Sequence, residues 1–92
     1  MFEWDENKSE ANFRVRGFDF AYAVAIFDGP TLEQDDKRAH YGERRIQALG
    51  RVADDILFVV YTWRGDIRRI ISARLANRRE RDDYRQIYGG PG

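Results

Sequence analysis

Cysteine is missing from these 92 residues, which excludes disulfides and every metal site built on thiolates. Histidine occurs once, at His40, too few for a closed metal site, which normally takes about four ligands. No apolar run reaches the roughly 18 residues of a membrane span. Met1-Phe2-Glu3-Trp4-Asp5 carries neither the basic n-region nor the apolar h-region of a signal peptide. A soluble cytoplasmic protein is therefore expected. Walker loop, dinucleotide fingerprint, zinc-ligand spacing and nucleophile elbow are absent as well. Enzymes that depend on familiar cofactors are poor candidates, and neither cofactor nor metal is expected. Lysine is nearly absent too, at Lys8 and Lys37 only.

What is present suits one globular domain over 1–92 with a frayed tail from about 89. Hydrophobic residues make up 42% and aromatics 14%, against 35% charged. The formal net charge is zero, yet it is unevenly spread. Residues 1–42 hold five basic and nine acidic side chains, while 43–92 hold eleven arginines and seven acids. Such asymmetry fits a surface that faces a polyanion. From charge alone, solvated faces and internal ion pairs are the favoured account.

Along the chain, 2–4 reads as a short strand or a packing anchor. Asp5 is placed to cap a helix over 6–15, which Gly17 ends in the left-handed conformation. Asp19 caps a second helix to Phe27, with Phe20, Ala23, Val24 and Phe27 on one stripe; it is apolar nearly all round and should be well buried. Residues 31–34 make a weak strand and 35–42 a polar loop. Over 43–50, Glu43, Arg45, Gln47 and Leu49 face one way, and Arg44, Ile46 and Ala48 the other. Asp54-Asp55 reads as a turn, and 56–62, apolar on both faces, as a central strand. A hairpin turn at Arg64-Gly65-Asp66 leads to a strand at 68–73. Asn77 and Glu80 have capping-box spacing for a helix from 78 to Tyr88. The expected class is α+β: two short N-terminal helices, about four antiparallel strands in a meander, and a C-terminal helix packed on the sheet.

The arginine-rich run 64–80 is where chemistry is expected. A guanidinium presents a planar fork of donors, so arginines fixed on a strand and the adjoining helix start suit phosphate, and an RNA backbone is the first ligand to consider. Cleavage through the 2′-hydroxyl needs a base and cations to neutralise the charge that builds on phosphorus. Glu43 could take that proton or hold Arg45 in place; equally, the two could form a structural ion pair. His40 could be an acid or base, or an ordinary loop residue. On a regular strand Arg69 and Arg74 would face opposite sides, but Arg74 sits where that strand is expected to have ended. Arg68 shares the nominal face of Ile70 and Ser72. Tyr84, Ile87 and Tyr88 lie on the apolar stripe of the last helix and read as core residues.

Taken in order, several pieces resemble the BrnT-type ribonuclease toxins of bacterial type II toxin–antitoxin systems. They are Trp4-Asp5 with Lys8 and Asn12; Gly17-Phe18-Asp19-Phe20; Tyr41-Gly42-Glu43-Arg44-Arg45 with Gly50; 57–62; and 69–74 with Ala76, Glu80 and Tyr84. The resemblance implies a fold similar to RelE-type toxins and metal-independent RNA cleavage. It also implies inhibition by a cognate BrnA-type antitoxin, whose ribbon-helix-helix region binds DNA so that the complex represses its own operon. Where the family commonly has Lys-His-Gly, this chain has Val15-Arg16-Gly17. The expected catalytic set is Glu43, Arg45, Arg69, Arg74 and His40, with Arg16, Arg64, Arg68 and Tyr84 binding RNA. The alternative is a non-catalytic RNA- or protein-binding module whose arginines only dock a partner.

Overall fold

The computed structural model describes residues 1–38 and 42–89. In chain order these form β1 (Phe2–Trp4), α1 (Glu6–Arg16), α2 (Phe20–Ala23) running on into a 3-10 segment (Val24–Asp28), β2 (Leu32–Asp35), β3 (Ile46–Val52), β4 (Asp55–Arg64), β5 (Ile67–Leu75) and α3 (Arg78–Tyr88).

Local chemistry sets most of the boundaries. The Asp5 carboxylate accepts from the backbone N–H groups of Asn7 and Lys8 at 2.8 and 3.3 Å, so α1 begins there. It ends where Gly17 turns to φ 87°. Asn77 and Glu80 form a reciprocal capping box at the start of α3, which satisfies two N–H groups that would otherwise be orphaned.

The second helix departs from expectation. After one turn it tightens into a 3-10 helix, and the buried residues become Phe20, Ala23 and Ile26. That spacing of three is the 3-10 period; it adds Ile26 at the centre of the expected stripe and leaves Val24 and Phe27 partly buried against the same core. Tyr22 is left exposed. The 3-10 segment lies directly on β3, where a Cβ on Gly50 would sit 2.5 Å from the Cβ of Ile26. Only glycine lets the two backbones come so close.

The strands form one five-stranded sheet in the order β1-β5-β4-β3-β2. From β2 to β5 neighbours are antiparallel, as the meander predicts. The fifth strand makes the sheet mixed: β1 pairs parallel to β5, with Phe2 opposite Arg68 and Trp4 opposite Ile70. Other shifts are small. β3 starts at Ile46 rather than 43, the turn before β4 falls at Ala53-Asp54, and β5 runs on to Leu75.

The two faces of the sheet are covered unequally. On one, Ile46, Ala48, Leu57, Val59, Tyr61, Ile70 and Ala73 pack against Phe18, Phe20, Ala23 and Ile26, each large side chain adding about 1.5–3 kcal/mol by leaving water. This is the closed face. On the other, α3 covers only one end, where Tyr84 and Ala76 meet Leu49 and Ile56, with Leu32 and Phe58 beside them. Of the expected α3 stripe only Tyr84 is buried; Ile87 and Tyr88 are 59% and 42% exposed. The last turn is tied down by polar contacts instead: the Tyr88 hydroxyl donates to the Thr31 carbonyl at 2.9 Å, and Arg51 of β3 donates to the Gly89 carbonyl at 2.7 Å.

Candidate functional site

The uncovered part of the second face is where Arg45, Arg69 and Arg74 emerge, and an irregularity in β5 puts the last two there together. β4 pairs in regular register from Arg64 opposite Ile67, but Tyr61 pairs with Ile70 and Val60 with Ser72. Ile71 is thus an extra residue, a β-bulge that resets the alternation of the strand. Arg69 lies opposite Thr62 and Arg74 opposite Phe58. Thr62 and Phe58 are four apart on the unbroken β4, so they share a face, and their partners share it too. The opposite facing expected of a regular strand is corrected by this one residue. Arg74 sits inside β5 rather than beyond its end.

Three rows cross this open face. One carries Glu3, Arg69 and Thr62, and Arg45 enters it just before β3, where the Thr62 hydroxyl donates to the Arg44 carbonyl at 2.7 Å. The next carries Ser72, Val60, Gln47 and Gln34. The third carries Arg74, Phe58, Leu49 and Leu32.

Each of these arginines is held by a carboxylate. Arg74 forms a two-pronged pair with Glu80 at 2.8 and 3.0 Å, and its guanidinium stacks 4.0 Å from the Phe58 ring centre. The same Glu80 carboxylate accepts from the Asn77 N–H, so the capping box of α3 and the orientation of Arg74 depend on one side chain. The hydrogen bond from Arg74 holds the Glu80 carboxyl below its ordinary pKa against the opposing effect of burial, with the Asn77 N–H adding to it. Arg69 donates to Glu3 at 2.9 Å. Arg45 donates to Glu43 at 3.0 Å, and Arg64 approaches the other oxygen of that carboxylate at 3.6 Å. Arg38 grips the buried Asp36 carboxylate with two nitrogens, which raises its own pKa, chiefly through the hydrogen bond and then through the charge of Asp36.

Arg16 from α1, Arg38 from the segment after β2 and Arg74 from β5 line one hollow of 390 Å³, together with Asn12, Gln47 and Ser72. Guanidinium groups from three elements and neutral hydrogen-bonding side chains border the same space, with Glu80 beside Arg74. Forked cationic donors of this kind suit phosphate. Among the described residues no three of His, Cys, Asp and Glu come together as metal ligands.

The residues singled out from sequence are therefore divided. Arg45, Arg69 and Arg74 share the open face, Arg16 joins the hollow at Arg74, and Glu43 and Arg64 stand at the entry to β3. Arg68 does not belong with them. It points to the closed face, 4.3, 4.6 and 5.3 Å from the ring centres of Phe27, Trp63 and Tyr61. The bulge also separates it from Ser72, whose nominal face it was expected to share. Tyr84 is 2% exposed and its hydroxyl donates to the Pro30 carbonyl; it is a core residue, as its stripe implies, and offers RNA no surface. His40 lies outside the described residues. Arg38, Ser72 and Gln47 were missed. Arg38 sits in a polar loop with no periodicity to mark it, whereas the role of Glu80 was within reach, because its capping-box spacing already placed it beside the end of β5.

Comparison with known proteins adds one finding. A family model described as "Ribonuclease toxin, BrnT, of type II toxin-antitoxin system" matches residues 4–80. Among curated proteins, none matches the chain.

Proposed function

Since the chain belongs to the BrnT family of ribonuclease toxins, we propose that it is a metal-independent endoribonuclease that cuts cellular RNA in the cytoplasm and so arrests translation. The observation that carries this reading is the hollow shared by Arg16, Arg38 and Arg74, with Arg45 and Arg69 one row away. In the proposed reaction the 2′-oxygen attacks the adjacent phosphorus and the bond to the 5′-oxygen breaks. A 2′,3′-cyclic phosphate and a 5′-hydroxyl result. Charge accumulates on the phosphoryl oxygens, and Arg45, Arg69 and Arg74 neutralise it, while Arg16 and Arg64 hold flanking phosphates. Glu43 takes the 2′-hydroxyl proton. Glu80 suits that task less, because its lowered pKa makes it a weak base; it positions Arg74 instead. His40 remains the candidate donor of a proton to the leaving oxygen.

Independence from metal is supported by the state of the carboxylates. Glu3, Glu43, Glu80 and Asp36 are each bound to an arginine, so positive charge at this face already comes from guanidinium. Purified chain incubated with long RNA, with and without EDTA, tests the proposal. Cleavage in both conditions, with cyclic phosphate ends, is expected; inhibition by EDTA would remove the metal-free mechanism. Intact RNA at micromolar protein would favour the non-catalytic docking module.

Membership of a type II toxin–antitoxin family implies a cognate antitoxin and an RNA target. The proposed antitoxin is BrnA-like. An acidic or amphipathic segment of it covers the arginine face, and its own DNA-binding region represses the operon. Co-purification of a small protein encoded beside this gene is the expected outcome.

A further inference from the structure

A second, smaller hollow opens next to the arginine site. It measures 170 Å³ and lies between β2, β3, β4 and α3. The two share Gln47, Phe58 and Glu80 along their borders, so one extended ligand can occupy both. At this size it falls below the roughly 300–1,000 Å³ of pockets for drug-sized ligands and suits a single ring system. Its walls are the apolar side chains of Leu32, Leu49 and Phe58, and its border is polar; two carboxylates on that border are already engaged, Glu33 by the Tyr61 and Thr31 hydroxyls and Glu80 by Arg74 and the Asn77 N–H. There the Gln34 amide donates to the Gln47 carbonyl oxygen at 3.0 Å, which leaves the other half of each amide for a ligand. Asp83, exposed on α3, also lines the hollow, with no hydrogen bond or ion pair among the described residues.

Apolar walls with a hydrogen-bonding edge, in a space the size of one ring system, can take a nucleobase. We infer that this hollow binds one base of the RNA, belonging to a nucleotide whose phosphate lies against Arg74, and that it prefers bases bearing an exocyclic amino group. The preference follows from Asp83. An ionised carboxylate only accepts hydrogen bonds; cytosine, adenine and guanine each present an amino group with two donor hydrogens, whereas the one donor of uracil, its ring N–H, is flanked on both sides by carbonyl oxygens that repel a carboxylate. The inference rests on the ribonuclease reading for its substrate but on different residues, so the two can fail separately.

The test is cleavage of a random-sequence RNA by the full chain, with the new 5′ ends mapped by sequencing. Wild type should show cytosine, adenine or guanine enriched over uracil at one fixed position relative to the cut. Asp83→Asn should reduce that enrichment by at least about fivefold, the low end of what one such contact discriminates. Arg78→Ala, exposed on the same helix and outside both hollows, should leave it unaltered. In parallel, 3′-nucleotides are titrated into the protein with NMR signals of Phe58 and Gln47 as the readout; the amino-bearing nucleotides should bind more tightly than uridine 3′-phosphate, and Asp83→Asn should erase the difference. Cleavage without base preference, or a preference that Asp83→Asn leaves intact, overturns the base site and spares the ribonuclease. Uncut RNA with the nucleotide order preserved overturns the ribonuclease and spares the base site. Equal binding of all four nucleotides overturns the inference whatever happens to RNA.

Discussion

Arginine is treated in opposite ways on the two faces of this sheet. On the closed face Arg68 is packed between Phe27, Tyr61 and Trp63, and its Nε is buried with no hydrogen-bond partner. Aromatic faces stand in there for a counter-ion. On the open face Arg45, Arg69 and Arg74 each carry a carboxylate partner while about a third of each side chain stays exposed, at 32%, 30% and 35%. A guanidinium clamped between rings cannot reach a ligand without giving up its stacking. One held by a carboxylate at its edge, even with a single ring against one side as Phe58 lies against Arg74, keeps a fixed direction and a free flank. The first arrangement makes a cross-brace for the fold; the second makes a surface ready for phosphate. Residue type alone does not distinguish them.

The strongest way to test that contrast is to truncate one arginine from each face. Arg74→Ala should lower the cleavage rate by about 10²–10³-fold, the usual cost of losing one preorganised donor to a developing oxyanion. Its melting temperature must be measured alongside, because it leaves Glu80 without its partner. Arg68→Ala should do the reverse. It should lose about 1–2 kcal/mol or more of stability from the aromatic stack, read by urea denaturation, while the protein that stays folded cleaves RNA at the wild-type rate. Equal losses of activity in both variants would erase the distinction between the faces.

Much of this could be read from sequence, and the failures have a common cause. The helix caps at Asp5 and Asn77, the stop at Gly17, the turn at Gly65 and the central strand β4 all depend on residues within four positions of one another, and each appears in the structure. What escaped were long-range facts. The parallel pairing of β1 with β5 joins residues 66 apart, as in the Glu3–Arg69 pair, and Phe2-Glu3-Trp4 is too short to declare its partner. The bulge at Ile71 lies within an ordinary run of β-formers, yet it decides that Arg69 and Arg74 share a face. The tightening of α2 into a 3-10 helix answers to close packing against Gly50, a contact invisible in either segment alone.

Packing on the closed face can be probed at that contact. Gly50→Ala should destabilise the protein by about 1–3 kcal/mol through overpacking against Ile26, with a lower urea midpoint and an unaltered cleavage pattern. A smaller effect is expected from pH on the open face. The Glu80 carboxyl has a lowered pKa in the folded state. Its stabilising contribution is therefore complete above the ordinary glutamate value of about 4.3 and disappears as pH falls through the lower, folded value. Glu80→Gln should be less stable than wild type at pH 7 and should show a flatter decline between pH 5 and 3, followed by circular dichroism. The smallest change belongs to Arg78→Ala. Its side chain is exposed at the start of α3 and meets no ion-pair partner among the described residues, so stability should stay within about 0.5 kcal/mol of wild type.

The parallel strand at the sheet edge also sets a timetable. β1 leaves the ribosome early, but the strand it joins follows some 66 residues later, about 3–13 seconds at bacterial and eukaryotic elongation rates. Until then β1 has no strand to join and Glu3 has no arginine to hold. The arginine face therefore completes only when β5 has been made, and a chain interrupted before it carries α1 and β3 without the site they border. The surface that gathers Arg45, Arg69 and Arg74 is thus assembled in one step, when β5 pairs on both of its edges.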